Sequence, residues 1–522
     1  MAEKQTYYIT TPIYYVNDKP HLGHAYTTVA CDILARFKRL DGYDVKFLTG
    51  TDEHGLKVYQ TAEKQGITPQ ELTDKVSVNF REMNRLMNIS EDQFIRTTED
   101  FHKKAAQAIW QKMVDAGDIY LDKYAGWYSV RDEAYYAEDE LTEGEDGEKL
   151  SPFGSPCEWT EEESYFFKLS AFEDRLMKYY ETDGVVLPKS RLNEVTSFVK
   201  GGLKDLSISR TTFDWGVKVP GDEKHVMYVW IDALTNYISA IGYPDVDGDE
   251  YKKFWPANVH MVGKDILRFH AVYWPAFLMS AGLEPPTRIF AHGWWTSEGQ
   301  KMSKSIGNVI VPAEAVEKYG LDQMRYFLLR EVPFGNDGDF SHDAMVGRMN
   351  SDLANNLGNL AQRSLSMIAK NCEGSVPTPG DFTAEDTTLL ESAGVHLLNH
   401  LRGELDKQMF HRGLEEVWRV LGEANAYIDE QAPWTLKKTD PARMGTVLYV
   451  VAETVRNVAL LLQPVMPDSA GKLLDLLSIA ANERDFGYVG QDHALKAGLE
   501  LPKPQGVFPR YVEEESKEAA TS

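Results

Sequence analysis

The chain has 522 residues, enough for three or four domains of ordinary size. Hydrophobic residues make up 43% of it and aromatic residues 11%, as in globular proteins with well-formed cores. The cysteines, Cys31, Cys157 and Cys372, lie far apart. This spacing argues against a disulfide framework and predicts a protein of the reducing cytoplasm.

The net charge of −25 argues against indiscriminate nucleic-acid binding, because neutralising phosphates needs lysine and arginine. The acidic residues are concentrated in residues 138–148, 161–163 and 513–515. Basic residues recur instead at Lys301, Lys304, Arg325, Arg330, Arg348 and Arg363. Global repulsion combined with local attraction would favour selective binding of an RNA.

Membrane attachment is not expected. The first residues, MAEKQTYYITTPIYY, lack the basic and then apolar pattern of a signal peptide. The most apolar stretch, residues 444–466, contains Glu453, Arg456 and Asn457. We therefore interpret it as a buried helix of a bundle rather than a membrane span.

The first 117 residues alternate apolar strands with amphipathic helices, which is typical of a parallel α/β sheet. Residues 7–14 are predicted as a strand, Leu22–Leu40 as a helix, and residues 45–48 as the next strand, followed by Thr51-Asp52-Glu53-His54-Gly55. The helix has Val29, Ile33, Leu34 and Phe37 on one face and ends at Asp41-Gly42.

Strand-like runs return at residues 226–231, 259–262 and 288–292, each followed by polar or aromatic residues. Open α/β sheets bind ligands beyond the carboxyl ends of their strands. The five predicted strands would thus deliver their polar groups to one rim of a nucleotide-binding domain. About a hundred residues of Gly-, Tyr- and Glu-rich sequence interrupt that domain.

The second half of the chain changes character. An amphipathic helix is predicted around residues 312–330, and long 3.6-residue periodicity follows at residues 345–370, 383–407, 413–431 and 444–462. These patterns predict a helical bundle. The fold class is therefore α/β plus all-α.

Two short segments carry the chemistry. His21-Leu22-Gly23-His24 places two imidazoles and a glycine at a predicted helix N-terminus, where backbone N–H groups and the helix dipole attract phosphate. Lys301-Met302-Ser303-Lys304-Ser305 places two ammonium groups on a loop that can close on a pyrophosphate leaving group. The first segment alone is weak evidence. A chance match to the second has odds on the order of 10⁻⁴, so the pair is specific.

With these segments the chain resembles the class I methionyl-tRNA synthetases from near residue 7 to about residue 510. The matching strings are TTPIYYVNDKPHLGHAY, FLTGTDEHG, LKDLSISRTTFDWG, MYVWIDALTNY, GKDILRFH, AHGWW and KMSKSIGN. The resemblance implies a Rossmann-type sheet split by an insertion. The implied domains are the catalytic halves 1–117 and 224–295, the insertion 118–223, a lysine-loop and stem-contact region 296–347, a helical anticodon-binding domain 348–511, and a polar tail 512–522.

For ATP, the resemblance implies binding of the Mg²⁺ complex at two sets of residues. His21, His24, Lys301 and Lys304 would act on the phosphates, with Gly23 allowing close backbone approach. Gly263, Asp265, Gly293 and Trp295 would contact the ribose and adenine, although Trp295 is bulkier than the residue of some relatives.

For methionine, the resemblance implies that Asp52 holds the substrate ammonium and that Arg210 faces the same region, balancing either Asp52 or the substrate carboxylate. Aromatic and alkyl side chains, which suit a flexible thioether, would form the pocket wall. They are Ile13, Tyr15, Trp230, Ala233, Leu234, Tyr237, Ile266 and His270. Family members often have Pro where Leu234 stands.

The insertion departs from relatives that hold zinc in CxxC knuckles. Ser129 and Asp132 stand where two cysteines would, and Cys157 is the nearby thiol. One thiol cannot build a tetrahedral sulfur site, so we predict no structural zinc. Aromatic packing should hold the insertion together instead, through Tyr124, Trp127, Tyr135, Tyr136, Trp159, Phe166 and Phe167.

In the helical region, Asn359 and Arg363 share a helix face and Trp434 follows Pro433. By resemblance these three residues read the CAU anticodon of tRNA(Met), with Trp434 stacking on a base. We expect methionyl-adenylate formation, transfer to the terminal adenosine of initiator and elongator tRNA(Met), and, since no appended domain follows the bundle, a monomer.

Three alternatives remain at this stage. A synthetase for leucine, isoleucine or valine would normally carry a much longer insertion with an editing domain. In a small-molecule nucleotidylyltransferase the long helical region would have no function. A non-catalytic RNA-binding relative would not need both signature segments.

Overall fold

The structure is a computed structural model that describes residues 4–16, 19–132, 134–144, 146–302 and 307–513. The chain divides into two compact units. The first contains residues 6–35 and 44–294, and the second contains residues 36–43 and the chain from Trp295 onward.

Within the described residues, the strands are β1 (Thr6–Thr10), β2 (Tyr14–Tyr15), β3 (Asp44–Asp52), β4 (Gln93–Arg96), β5 (Ile119–Ser129), β6 (Ala134–Tyr136), β7 (Thr142–Glu143), β8 (Lys149–Leu150), β9 (Glu158–Phe167), β10 (Val186–Leu187), β11 (Leu206–Ser207), β12 (Ser209–Arg210), β13 (Lys218–Val219), β14 (Asp222–Met227), β15 (Val259–Gly263), β16 (Ile289–His292), β17 (Trp295–Ser297), β18 (Gln300–Lys301) and β19 (Gly338–Phe340).

The α-helices in the same residues are α1 (Leu22–Leu40), α2 (Leu56–Gln65), α3 (Pro69–Leu86), α4 (Asp100–Asp115), α5 (Glu173–Tyr180), α6 (Lys189–Lys200), α7 (Val229–Ser239), α8 (Asp249–Phe254), α9 (Trp274–Ser280), α10 (Pro312–Tyr319), α11 (Leu321–Arg330), α12 (His342–Gly347), α13 (Asn359–Asn371), α14 (Ala384–Glu391), α15 (Leu397–Leu405), α16 (Phe410–Gln431), α17 (Pro433–Thr439), α18 (Pro441–Leu462) and α19 (Pro467–Leu476). Wider π-helical turns occupy Phe269–Tyr273, Arg348–Gly358 and Ser392–His396.

A seven-stranded parallel sheet forms the centre of the first unit, in the order β10-β16-β15-β1-β3-β2 with β4 also on β3. Strand β1 pairs with β3 on one side and with β15 on the other. The two predicted halves therefore meet side by side in one sheet, which confirms the split parallel sheet. Helix α1 has the predicted bounds, and its apolar face is buried, with Val29, Ile33, Leu34 and Phe37 at most 1% exposed.

The strand predicted at residues 226–231 is wrong in two respects. Strand β14 ends at Met227, and Val229–Ser239 is helix α7, so Trp230 lies in the first helical turn. Strand β14 also pairs antiparallel with β12 and β13 rather than joining the parallel sheet. A short apolar run fits a buried strand and a buried helix equally well, and this segment is the end of one and the start of the other.

The region predicted as the insertion is built on the long antiparallel pair β5 and β9, flanked by β6 and β11. Strand β10 falls within the same range but pairs with β16 in the parallel sheet. Phe166, Phe167 and Tyr136 are buried as expected. Trp159 is not: it is 54% exposed and meets Trp127 only edge to face. The Tyr124 side chain lies outside the described part of the structure.

The second unit is largely helical, and the four long predicted helices are found within one to three residues of their predicted starts, the first and second of them interrupted by π-turns. The helix predicted around residues 312–330 is two helices, α10 and α11, separated by Gly320 at φ 95°. Helix α18 is long and apolar enough to cross a membrane, but the whole apolar window is buried. Its interpretation as a bundle helix is confirmed.

Candidate active site and anticodon-binding face

The N-terminus of α1 brings the first signature segment together. The rings of His21 and His24 lie 3.9 Å apart. The backbone N–H of Gly23 donates to His21 Nδ1 at 3.1 Å, and the backbone N–H of His21 donates to His24 Nδ1 at the same distance. The two imidazoles thus take up backbone donors at the helix start, where such groups have no partner within the helix.

These hydrogen bonds fix the protonation pattern of both rings. Since a backbone N–H can only donate, both Nδ1 atoms are acceptors, and each neutral ring carries its proton on Nε2. Burial lowers the pKa of His21, and burial followed by the nearby His21 lowers that of His24 further. Both rings are therefore neutral at pH 7 and present one Nε2–H donor each.

Gly23 is required by the contact between its backbone and the ring of His21. A Cβ atom at this position would lie 2.9 Å from His21 Cε1 and 3.1 Å from Nδ1. Any side chain would push the imidazole away from the helix start.

The carboxyl ends of β15 and β16 carry the next predicted residues. Trp294 donates from Nε1 to Asp265 Oδ1 at 3.1 Å, and Lys264 Nζ lies 4.2 Å from the centre of the same indole ring. A Cβ atom at Gly263 would lie 2.5 Å from Asp265 Oδ1, so glycine permits the position of that carboxylate. Trp294 is 41% exposed and was missed by sequence reasoning, although it adjoins Gly293 in the quoted motif.

His292 ties the end of β16 to α1. Its Nδ1 donates to the carbonyl oxygen of Gly293 at 2.8 Å, so its Nε2 accepts from the hydroxyl of Thr27 at 2.7 Å. Thr27 is one turn beyond Gly23 in the helix. The Gly293 backbone and the start of α1 therefore have a fixed separation.

The predicted methionine residues gather around α7 and the segment after β15. Tyr237 donates its hydroxyl proton to His270 Nε2 at 2.7 Å, since Nδ1 of the same ring donates to the carbonyl of Ile266 at 2.9 Å. Burial lowers the pKa of His270 to about 4. This imidazole is neutral, and both of its nitrogens are occupied by protein groups.

The indole of Trp230 stacks face to face on Phe269, with ring centres 3.8 Å apart and 5° between the planes. The ring of His270 meets the same indole edge to face at 6.0 Å. Ala233 and Leu234 are buried on α7, and Ile13 packs partly buried against the same core. Phe269 is a second residue that sequence reasoning missed, and its place next to His270 was the available signal.

Asp52 and Arg210 lie on different sheets of the first unit. Asp52 is the last residue of β3, 9% exposed, and pairs in register with Tyr15 of β2. Arg210 is 3% exposed, and its guanidinium lies 4.5 Å from the ring centre of Tyr135 and 5.0 Å from that of Tyr228. It also donates to the carbonyl of Ser209 at 2.7 Å.

The remaining ATP residues belong to the second unit. Trp295 is 7% exposed and packs against Phe327 with ring centres 5.7 Å apart, a core environment. Lys301 is exposed at the end of β18, and its carbonyl accepts from the amide of Asn308. Lys304 lies outside the described residues, as does the tail beyond residue 513.

Two of the three predicted anticodon residues, Arg363 and Trp434, are in contact in the helical region. The guanidinium of Arg363 lies 5.3 Å from the ring centre of Trp434 and pairs with Asp429 at 2.9 Å. Trp434 is 44% exposed at the start of α17, and Asn359 is exposed one turn before Arg363 on α13. An exposed indole beside a guanidinium is a platform on which an unpaired base can stack.

Comparison with known proteins shows the family of the chain. Residues 7–365 match the family model described as tRNA synthetases class I (M), and residues 376–522 match that of the anticodon binding domain of methionyl tRNA ligase. A methionine–tRNA ligase of Mesorhizobium japonicum is 62% identical over 98% of this chain and 99% of its own length. One from Brucella suis is 61% identical over 98% and 99%.

Solved structures give the same result. Mycobacterium tuberculosis methionyl-tRNA synthetase in complex with methionyl-adenylate has a TM-score of 0.94 at 56% identity, covering 97% of this chain and all of that one. The free-state structure of the same enzyme has a TM-score of 0.89. These matches cover both the predicted catalytic region and the predicted anticodon-binding region of the chain. It belongs to the methionyl-tRNA synthetases, class I ligases that activate methionine with ATP and charge tRNA with it.

Proposed function

We propose that adenylate formation takes place at the N-terminus of α1. The carboxylate of methionine attacks the α-phosphorus of MgATP, an O–P bond forms, and the bond to pyrophosphate breaks. The Nε2–H groups of His21 and His24 are the donors to the phosphates, together with the positive end of the helix dipole. The observation that carries this assignment is the pair of backbone bonds that hold both Nδ1 atoms as acceptors.

Lys301 and Lys304 are proposed to neutralise the charge that develops on the departing pyrophosphate. Asp265 is proposed to accept from the ribose hydroxyls, held in place by the indole N–H of Trp294. Gly263 and Gly293 would allow the ribose and adenine to approach the backbone. The burial of Trp295 favours a supporting position over direct contact with the nucleotide.

The methionine site is proposed to have a charged end and an apolar wall. Asp52 takes the substrate ammonium, and Arg210 balances that carboxylate or the substrate's own. The thioether packs against Trp230, Tyr237 and the neutral His270, since sulfur–aromatic contacts each contribute about 0.3–1.5 kcal/mol. Tyr15, Ile13, Ala233, Leu234 and Ile266 complete the wall.

In the second step, a hydroxyl of the terminal adenosine of initiator or elongator tRNA(Met) attacks the methionyl carbonyl and releases AMP. Membership of class I favours the 2′-OH. Asn359, Arg363 and Trp434 are proposed to read the CAU anticodon. We propose that the enzyme works as a cytoplasmic monomer, which light scattering on the purified chain would test by giving a mass near 59.1 kDa.

No structural zinc is proposed, because the donor set does not suit that metal. Asp132 accepts hydrogen bonds from the hydroxyls of Ser151, Ser155 and Tyr136. Burial and then the charge of Asp132 raise the pKa of the Cys157 thiol to about 11, so it is not a thiolate. Elemental analysis of the purified protein should find less than about 0.1 zinc per chain, because a real site binds metal in full. Stoichiometric zinc would contradict the proposal.

The deciding experiment is ATP–pyrophosphate exchange without tRNA, across all twenty amino acids. Exchange with methionine alone supports the assigned pocket, and exchange with another amino acid contradicts it. Lys304→Ala should abolish exchange and leave tRNA affinity nearly unchanged. Unaltered turnover in that variant would exclude the role given to Lys304.

A further inference from the structure

A buried carboxylate that the proposed mechanism does not use joins helices α4 and α7 to the segment that follows β3. Asp232 of α7 is 1% exposed. Its Oδ2 atom lies 2.6 Å from His54 Nδ1, and its Oδ1 atom lies 2.8 Å from His102 Nε2 of α4. The other ring nitrogen of His102 lies 2.9 Å from the hydroxyl of Ser239, also on α7.

The charge of this carboxylate is maintained. Burial alone would raise the pKa of Asp232, but the two imidazoles outweigh it and the net pKa lies well below the usual range. A buried carboxylate with two nitrogen partners is a rigid arrangement, because moving either ring leaves an oxygen unsatisfied in an apolar surrounding.

One partner of Asp232 lies two residues beyond Asp52. Between them, Glu53 is fully buried and accepts from Thr51 at 2.8 Å, from Arg96 Nε at 2.7 Å and from the hydroxyl of Thr98. Its backbone N–H donates to Thr97 Oγ1 at 2.9 Å, and its carbonyl accepts from the indole of Trp215 at 2.7 Å. The backbone after Asp52 is thus fixed at two positions. Glu53, the next residue, is held by its hydrogen bonds, and His54 is held by Asp232.

The other side of the network is the wall of the proposed methionine pocket. Asp232 follows Trp230 by two residues and directly precedes Ala233 in the first turns of α7. One carboxylate therefore connects the strand end that carries the proposed ammonium ligand with the helix that carries the proposed thioether wall. The distance between these two groups must match the length of the methionine side chain.

We propose that Asp232 is a positioning residue that sets the separation between Asp52 and the α7 wall through His54, and so determines that ammonium and thioether are bound together. This inference rests on the proposed roles of Asp52 and Trp230. It extends them by naming the group that makes the two ends of the site act as a unit. His102 fixes Asp232 from the side opposite His54 in the hydrogen-bond network.

The test compares two ligands by calorimetry on the full-length chain: methionine, and 4-(methylsulfanyl)butanoate, which lacks the α-ammonium. Asp232→Asn should weaken methionine at least about tenfold, because small misplacements of a binding group are costly. The affinity for the analogue and for MgATP should change less than about twofold, since neither depends on the alignment of Asp52 with α7.

Two further variants separate positioning from general damage. In an Asp52→Asn background, Asp232→Asn should cost no additional methionine affinity, because there is no ammonium ligand left to align. His54→Asn keeps a side-chain N–H near the position of Nδ1 and should bind methionine more tightly than His54→Leu. Asp32→Asn is the matched control: this carboxylate of α1 is equally buried and accepts from the backbone N–H and the hydroxyl of Ser90. It should lower the melting temperature and leave methionine affinity unchanged.

Equal losses for methionine, the analogue and MgATP in Asp232→Asn would overturn the positioning role, as would an additive loss in the Asp52→Asn background. If Asp52→Asn loses affinity and Asp232→Asn does not, positioning fails while the proposed site stands. If Asp52→Asn itself binds methionine normally, the proposed role of Asp52 fails, and the role of Asp232 is overturned with it.

Discussion

At Gly23, the position of the His21 imidazole depends on the absence of a single methyl group. Gly23→Ala should move the ring of His21, because the added Cβ would lie 2.9 Å from its Cε1 atom. We expect the rate of ATP–pyrophosphate exchange to fall by about two to three orders of magnitude, as removal of one oriented donor usually costs. The melting temperature should change by only a few degrees.

The control is Gly471→Ala in α19, where a Cβ atom meets nothing within 4 Å. This substitution should stabilise the protein by about 0.4–1 kcal/mol, because alanine has less conformational freedom in the unfolded chain. Full exchange activity in Gly23→Ala would show that the reaction does not require the His21 ring in its observed position.

His270 gives a pH dependence with a defined sign. Its pKa is about 4 in the folded protein against an ordinary value of 6.5, since burial disfavours the charged ring. The unfolded chain therefore takes up a proton between pH 6.5 and 4 that the folded protein does not. The contribution of the neutral ring to the free energy of unfolding is complete above pH 6.5. It is lost as the pH falls towards 4, and the loss is about 3 kcal/mol at most.

Chemical unfolding of the wild type and His270→Gln at pH 7 and pH 4.5 checks this expectation. The stability advantage of the wild type should shrink at the lower pH, because glutamine does not titrate. The KM for methionine of the wild type should stay flat between pH 6 and 8, since the ring is neutral throughout. A step in KM near pH 6.5 would mean that His270 titrates in the ordinary range.

At the scale of elements, a buried pair of charged residues in the apolar helix α18 binds a neighbouring segment of the chain. Glu453 accepts from Arg456 Nε at 2.8 Å and from the backbone N–H of Leu495 at 2.9 Å. Arg456 donates to the carbonyls of Tyr488 and Gly490 at 2.8 and 3.1 Å. The charges that distinguished this helix from a membrane span therefore attach residues 488–495 to it.

Glu453→Gln should destabilise the helical region by about 3–5 kcal/mol, because it leaves a buried guanidinium without its charge partner. Hydrogen exchange at the amide of Leu495 measures the effect locally. The double variant Glu453→Met with Arg456→Met should be less damaging than the sum of the single changes. Additive losses would show that the two side chains act independently.

Helix α17 gives a prediction for RNA binding. Trp434→Ala should weaken tRNA(Met) by about 1–3 kcal/mol, the usual value of one base stacked on an aromatic ring. Pyrophosphate exchange without tRNA should not change. The control is Trp159→Ala, which removes an indole of similar exposure from β9. An equal loss of tRNA affinity in both variants would contradict a specific role for Trp434 in the anticodon site.

The elements also show which parts of the fold the sequence could predict. Long periodic helices such as α1, α16 and α18 were predicted well, because α1 and α16 bury a long apolar face and α18 is apolar and buried along almost its whole length. Strands β4 and β10 were missed, since two to four residues carry no readable periodicity. The network of Asp232 was invisible because its partners are 178 and 130 residues away in the chain. The site motifs were readable because their residues are local and unusual.

At the scale of the whole molecule, the net charge of −25 affects how the chain binds RNA. Several arginines expected to attract RNA are already paired. Arg325 is fully buried and donates to the carbonyls of Pro464 and Val465, so its predicted surface role is wrong. Arg348 pairs with Glu331 and Asp352.

Arg325 and Arg348 are thus engaged by protein groups, and we expect binding of tRNA(Met) to depend weakly on salt. With about three phosphates neutralised, affinity should fall by less than about a hundredfold between 50 and 200 mM salt, whereas six to ten contacts would cost about 10³–10⁵. Fluorescence anisotropy with labelled tRNA measures the slope. A steep slope would mean that lysines of the 301–305 loop, or other basic groups, carry most of the affinity. A shallow one would leave stacking and base-edge contacts at Asn359, Arg363 and Trp434 as the main source of selection, as the acidic surface requires.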